Sequence, residues 1–381
     1  MIKSAIIDVK DQDLLGTLRA LLKNILEQET ISAILTPWRR PAKKMVMPTL
    51  LTDAAQIDGA DPLSPAFPMN TAKIASRLTR KPSGGTIAAV MRPCEIRAFV
   101  ELVKLKQARR EEVILIGLDC PGAVGNRDYA NLTEENGDEI TKRFVHRMLS
   151  GKGNATDGME LTQACRACEL PVARGADIGI GLFGVDTGRQ VLIQALTDTG
   201  CRLLDELGLA EAEDPPGRRK EIDRLIAERT TFRDELFVEV GEKTGNLEKL
   251  SDYLAGCVNC YNCRVACPVC YCRECVFVTD VFDHEPNQYL RWARKQGAVK
   301  MPTDTLLYHI TRLAHMSTAC VGCGQCTNAC PNDIPVMPLF RSIAHNTQKA
   351  FDYQAGRSLE EKPPMSEFKQ DEFSEVVGLN N

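Results

Sequence analysis

Two cysteine runs of identical spacing constrain this chain more than any other feature: Cys257-x2-Cys260-x2-Cys263-x3-Cys267-Pro268 and Cys320-x2-Cys323-x2-Cys326-x3-Cys330-Pro331. In each, three thiols crowd one tight loop and a fourth precedes a proline. This is the run that wraps [4Fe-4S] cubes in bacterial two-cluster ferredoxins, where the fourth cysteine crosses over to the other cube. The crossover rule groups Cys257, Cys260 and Cys263 with Cys330, and Cys320, Cys323 and Cys326 with Cys267. Structural zinc, the competing use of Cys-x2-Cys, wants two knuckles separated by a longer loop and is the weaker reading. An electron carrier is expected, at least in part.

The stretch between the runs is longer than a compact ferredoxin needs, and its pattern is helical. Leu306, Leu307, Ile310, Leu313 and Ala314 recur at helical spacing behind the start signal Pro302-Thr303-Asp304. The expectation is a mainly α-helical two-cluster ferredoxin domain in which these apolar positions pack against the clusters. His284, His309 and His315 fall near the cluster segments and read as satisfied helix histidines. Cys270, Cys272 and Cys275 are left over by two cubes. They can ligate another centre, replace a member of the ligand set, or serve as small buried apolar residues.

The 16 cysteines are clustered rather than spread in pairs, which points to metal ligation in a reducing compartment and not to secreted disulfides. A formal net charge of -4 gives no general attraction to nucleic acid. The amino terminus lacks a signal-peptide core and no apolar run approaches a membrane span. A cytoplasmic protein with no direct membrane span is expected.

Residues 1–205 read as alternating strands and helices, an α/β domain. Ala5 to Val9 is one apolar run, and Ala33, Ile34 and Leu35 close another; Leu14, Leu15, Leu18, Leu21, Leu22 and Ile25 mark a helix face between them. Ile87 to Met91 and Val113 to Leu118 read as buried strands, with Ile96, Phe99, Val100 and Val103 as the inward stripe of a helix joining them. That β-α-β unit makes the strands parallel and the crossover right-handed. Cys94 and Cys120 then follow the ends of neighbouring strands, at the edge where open parallel sheets bind ligands. Cys165-x2-Cys168 can supply two more thiols, enough for a further [4Fe-4S] cluster. Residues 206–252 read as a helical linker whose mixed charges form a solvated face, 253–348 as the ferredoxin domain, and 349–381 as an extended polar tail, disordered or strapped to a partner.

The stretch IAAVMRPCEIRAFVELVKL, followed by VILIGLDC, CRACELPVARGADIGIGLFG and VLIQALTDTGCRLL, resembles the flavin-binding beta subunits of coenzyme F420-reducing hydrogenases and F420-dependent formate dehydrogenases. The CPVCYCREC extension and the AHMSTACVGCGQC stretch are most similar to the formate dehydrogenase branch. The resemblance implies bound FAD, a proximal cluster on Cys94, Cys120, Cys165 and Cys168, and thus three [4Fe-4S] clusters. It departs from the family where Arg92 replaces a small residue, Asp119 an aromatic one and Leu182 an acidic one.

Candidates for holding the flavin are the glycine pair of Gly84-Gly85-Thr86, Arg92, Arg97 and Lys73. A basic patch at Trp38, Arg39, Arg40, Lys43 and Lys44 reads as an exposed loop, or else a site for a dinucleotide phosphate or an acidic partner. No site for oxidising formate or hydrogen is apparent, so a catalytic dehydrogenase or hydrogenase subunit is implied as partner. The expected role is an oxidoreductase subunit relaying electrons between that partner, a formate dehydrogenase first of all, and a two-electron carrier of the coenzyme F420 type at FAD. The alternative is a non-catalytic adaptor wiring a dehydrogenase or hydrogenase to a heterodisulfide reductase-type assembly.

Overall fold

The structure is a computed structural model, and it describes residues 3–40, 45–132, 137–151 and 159–367. Its first part holds β1 (Lys3–Asp8), α1 (Leu14–Leu26), β2 (Ile31–Arg40), β3 (Met45–Leu51), α2 (Ala72–Leu78), β4 (Thr86–Met91), α3 (Pro93–Lys104), β5 (Val113–Leu118), α4 (Asn126–Asn131), α5 (Gly137–Leu149), α6 (Gln163–Arg166), β6 (Ile178–Gly181), β7 (Gln190–Ala195) and α7 (Asp198–Glu206). The seven strands form one mixed sheet of order β1-β7-β6-β5-β4-β2-β3. Strands β2, β4, β5 and β6 are parallel neighbours; β3 pairs antiparallel with β2 at one edge, and β7 pairs antiparallel with both β6 and the other edge strand, β1, which therefore runs in the direction of the parallel set.

Both faces of this sheet are buried, as the unbroken apolar run of β4 requires. Ala88 and Val90 join α1, α5 and α7 in one core; Ile87, Ala89 and Met91 join α2 and α3 in the other. Period-2 alternation thus divides one strand between two cores. Phe99 of α3 is fully buried, worth about 1.5–3 kcal/mol by apolar transfer.

The second core continues into the carboxyl-terminal helices. These are α8 (Arg218–Thr244), α9 (Leu247–Tyr253), α10 (Asn262–Ala266), α11 (Pro286–Gln296), α12 (Thr305–Met316), α13 (Gln325–Asn328) and α14 (Val336–Ala350). Val240, Leu254, Leu313, Met316 and Phe340 pack in the same cluster as Phe99 and Leu115. The helical region is therefore docked on one face of the sheet. Among the described residues, no helix is long and apolar enough to cross a membrane.

Close backbone approach fixes that docking. Gly324 has φ +78, and a Cβ there would lie 2.5 Å from the Cβ of Ala164 in α6. Beside it, Gln325 Nε2 and Asn328 Nδ2 donate to the carbonyl of Phe67 at 2.9 and 3.2 Å. At the other end, Tyr353 OH and Gly356 N donate to buried Glu101 of α3 at 2.6 and 2.7 Å. The start of the polar tail is thus strapped to the chain's own α/β domain; residues 368–381 lie outside the described residues.

The charged stretch before the cysteine runs differs from a purely solvated face. Most of α8 is exposed, yet Arg218 and Arg229 are buried. Their guanidiniums reach polar groups at the carboxyl end of β5, which apolar neighbours alone would leave unmatched.

Candidate redox centres and their surroundings

Cysteine positions follow from where strands and helices end. Cys94 opens α3 directly after β4, in a first turn organised by Glu95, whose carboxylate accepts from the backbone of Arg92 at 2.9 Å and of Thr71 at 2.6 Å. Cys120 follows β5, its backbone N–H bonded to Pro171 O at 2.8 Å. Cys165 lies on the short α6, where Ala123 N–H donates to its Sγ at 3.2 Å. Burial pushes the Cys94 and Cys120 thiols up, and each feels Cys168; Cys120 also feels Cys165. The four thiols of the α/β domain are thus neighbours.

The ferredoxin-type runs sort as the crossover rule groups them. Cys257, Cys260, Cys263 and Cys330 line one small cavity together with Tyr308 and His309. Cys267 stands instead among Cys320, Cys323 and Cys326, whose thiols burial pushes up in turn. Cys323 also neighbours Cys94. The three sets form a series: an outer set with exposed Cys260, a middle set, and an inner set at the sheet edge. Among the described residues no group of three His, Cys, Asp or Glu is arranged to hold a single ion. A cube spans four irons, so its thiolates stand farther apart than the roughly 2.3 Å zinc–sulfur bonds of one ion would place them.

The charges around these thiols supply the test of fit. Arg312 of α12 is 4% exposed, donates to Cys263 Sγ at 3.1 Å, and among the described residues forms no ion pair with a carboxylate. A buried guanidinium without a counter-charge is strongly unfavourable. Thiolates, which is what iron ligands are, would supply that charge. The residues therefore fit iron-bound cubes.

The inward face of α12 departs from the expected apolar stripe. Leu307, Ile310 and Ala314 are exposed, whereas Tyr308, His309, Arg312, Leu313 and Met316 are buried. His309 is not a helix histidine satisfied elsewhere: its Nε2 lies 3.4 Å from Cys257 Sγ and its Nδ1 has no partner. His284 instead packs edge-on against Tyr289 and Trp292, and His315 is exposed. Of the additional cysteines, Cys270 is half-buried beside Cys267, Cys275 packs with Cys263 and Phe277, and Cys272 is exposed.

The flavin candidates are scattered. Gly84 and Gly85 precede β4, so they lie at the opposite edge of the sheet from Cys94, in a turn where Ser83 Oγ donates to Gly85 O at 2.5 Å. Thr86 lines a cavity of about 580 Å³ at that far edge, with Arg110, Asp177 and Thr197. Lys73 donates to Val265 O at 2.5 Å, tying α2 to the helical region. The charge of Arg97 reaches Cys320 of the middle set. Only Arg92 faces the inner set, its Nη2 donating to Ser64 O and Ala66 O at 2.6 and 2.8 Å with the guanidinium 4.5 Å from the Phe67 ring centroid. The basic patch is no exposed loop: Trp38–Arg40 close β2, Arg39 is ion-paired with buried Asp61, and Lys43 and Lys44 lie outside the described residues.

A second cavity, about 220 Å³, lies beside Cys120. Pro121, Leu161, Phe183, Arg166, Arg229 and Phe232 line it; Arg166 sits 3.9 Å from the Phe232 ring centroid, and Arg229 Nη2 donates to Pro121 O at 3.0 Å. Sequence reading missed these residues, as well as the pair beneath them. There Asp119 accepts from Leu182 N at 2.9 Å and Phe183 N at 3.2 Å, and Arg218 Nη1 meets it at 2.5 Å. The departure at Asp119 is thereby accounted for, because Arg218 neutralises it. A buried Arg with no acidic residue three or four positions away, as at Arg312, is the one signal that could have flagged the α12 face.

Two stretches of the chain match families of known proteins. Residues 84–215 match the family described as the carboxyl-terminal part of the beta subunit of coenzyme F420 hydrogenase/dehydrogenase, and residues 253–334 match a 4Fe-4S dicluster domain. The chain is 26% identical over 366 residues to the F420-dependent formate dehydrogenase subunit beta of Methanocaldococcus jannaschii, covering 90% of this chain and 91% of that protein. It is 27% identical over 376 residues to F420-dependent formate dehydrogenase 1 subunit beta of Methanococcus maripaludis, covering 92% of each. Among solved structures, a chain of the F420-reducing [NiFe] hydrogenase complex from Methanosarcina barkeri aligns with TM-score 0.45 and 17% identity over 65% of this chain and 94% of that one, a likeness too slight to argue from. The chain is an oxidoreductase subunit that carries, at residues 84–215, the carboxyl-terminal domain of the coenzyme F420 hydrogenase/dehydrogenase beta-subunit family, and over most of its length it is similar to the formate dehydrogenase branch.

Proposed function

We propose that this chain relays electrons between a catalytic formate dehydrogenase subunit and a two-electron carrier of the coenzyme F420 type, through three [4Fe-4S] clusters and FAD. The observation that carries the reading is the series of three thiol sets, which ends beside the cavity at Cys120. A flavin, when bound, joins single-electron carriers to two-electron ones. The chain's own residues do the rest. Phe183 and Phe232 supply aromatic walls beside Cys120, and Arg166 and Arg229 place positive charge there. At about 220 Å³ the cavity suits a ring system and not a whole dinucleotide, which needs a pocket of roughly 300–1,000 Å³. The remainder of the FAD would lie outside it.

At the outer end, Val258, Val265, Val278, Val281, Leu307 and Ile310 are exposed on the segments around the first thiol set. An apolar surface beside the outermost centre suits a docked partner. The test is anoxic purification with whatever polypeptides accompany the chain, followed by iron, sulfide and flavin analysis and assays with deazaflavin and nicotinamide. Three cubes and one flavin with carrier reduction are expected. Iron and sulfide without flavin, or no turnover with any soluble carrier, would favour the non-catalytic adaptor; zinc without iron would end the proposal.

A further inference from the structure

Arg312 occupies a position that the relay reading does not itself explain. Its Nη1 donates to Cys263 Sγ at 3.1 Å and its Nη2 to the Cys263 carbonyl at 3.3 Å, so it is bound to the outer set. The guanidinium also lies 4.7 Å from the Phe340 ring centroid and within the field of Cys267 and Cys326, both of the middle set. No other described side chain touches the outer set in this way while facing two thiols of the middle one. Tyr308 and His309, one turn earlier on the same helix, bond to the outer set: Tyr308 OH is 3.4 Å from Cys263 Sγ, and His309 Nε2 is 3.4 Å from Cys257 Sγ.

We propose that Arg312 is the shared counter-ion of the outer and middle cubes and sets their reduction potentials together. The inference rests on the assignment of cubes to the outer and middle thiol sets. Each cube takes up one electron and passes one on, with no bond made or broken, and each uptake adds one negative charge. A fixed cation between the two therefore stabilises the reduced state of either more than the oxidised state, which raises both potentials. It also screens the repulsion between two reduced neighbours. The surroundings suit this role, because burial removes the water that would otherwise damp the charge and no carboxylate among the described residues cancels it. Arg312 is a positioning residue in this scheme, acting through the thiolates.

The test is an EPR-monitored redox titration of the intact complex carrying Arg312→Met, Arg312→Lys or Tyr308→Phe, with iron and sulfide measured on each. Arg312→Met should lower both ferredoxin-type potentials, each by about tenfold in the one-electron equilibrium, or about 59 mV, and leave the inner cube unchanged. Tyr308→Phe should move the outer cube alone. Arg312→Lys keeps the charge but loses the fork, so the middle cube should hold while the outer one falls. If Arg312→Met loses iron, the lysine variant decides: a middle cube that falls as far as the outer one overturns the proposal. So does Arg312→Met with full iron and both potentials at wild-type values, or with only one displaced. Absence of iron from the wild-type complex would instead sink the cube assignment itself.

Discussion

Replacing Gly324 with alanine tests whether the helical region is held at a fixed distance from the inner thiols. The residue follows Cys323, has φ +78, and its missing side chain lets the backbone pass Ala164, the neighbour of Cys165. An added Cβ would stand 2.5 Å from the Ala164 Cβ. Carbon atoms prefer roughly 3.5–4.0 Å, so the two segments must part by about 1 Å. The left-handed backbone costs an L-residue roughly 1–2 kcal/mol and the overpacking about 1–3 kcal/mol more, so Gly324→Ala should lose about 2–5 kcal/mol in anoxic denaturation. Ala164→Gly costs about 0.5–1 kcal/mol alone as a helix substitution, but in the Gly324→Ala background it should recover the overpacking part. Iron content should stay complete while electron exchange between middle and inner cubes slows. A Gly324→Ala protein within about 0.5 kcal/mol of wild type, or no coupling between the two sites, refutes the close-approach argument.

Three further outcomes are expected. Arg218→Met leaves Asp119 buried with no cation, so stability should fall by about 3–5 kcal/mol; a loss under about 1 kcal/mol in anoxic denaturation contradicts the pairing. Cys326→Ser and Cys168→Ser should each cost one cube's share of iron, the first at the middle centre and the second at the inner one, with flavin retained by Cys326→Ser; full iron in both variants would undo the ligand map. In the metal-free chain, burial pushes Cys120 and Cys323 up to about 12, above the roughly 8.5 of an unfolded thiol. Their contribution to stability is therefore present below about pH 8.5 and lost as pH rises toward 12. At pH 8 iodoacetamide should label the exposed Cys260 and Cys272 and spare those two; equal labelling would show that they are not buried thiols.

What the sequence made legible and what it hid have physical causes. Cysteine spacing is a covalent fact, and the crossover grouping, the β4-α3-β5 unit and the nearness of Cys94 to Cys120 follow from local rules, whereas the grouping of Cys165 and Cys168 with them rested on the family resemblance. The antiparallel pairs were not legible: β1 meets β7 across a long sequence distance, and the β2–β3 and β6–β7 pairs join strands without the intervening helix that an alternating pattern leads one to expect. The α12 stripe misled because hydrophobic periodicity assumes an apolar core, whereas this helix faces thiols that need donors; its leucine and isoleucine were left outside. Gly84 and Gly85 misled for a related reason. A glycine pair marks a tight turn at either end of a strand, and here it marks the end away from the thiols.

The boundary between middle and inner sets is built differently from the one Arg312 occupies. Arg341 is buried between Cys320 and Cys168, but its Nη2 is ion-paired with Glu169, which also takes Arg233 at 3.4 Å. One carboxylate thus shares its charge between two guanidiniums, and the field that Arg341 sends toward either set is reduced. Neutralising that carboxylate should reverse the reduction. In Glu169→Gln the full charge of Arg341 faces Cys320 and Cys168, so the middle and inner potentials should rise while the outer one, which Arg341 does not approach, stays put. The shift should be of the order of tenfold in the equilibrium, about 59 mV, discounted where the carboxylate is partly solvated. The lost ion pair also weakens the joint, by up to roughly 3–5 kcal/mol, so stability and potential move in opposite directions. Potentials that fall, or an outer cube that moves as much as the other two, would mean that Arg341 is only a strut between helices and not part of the electrostatics of the relay.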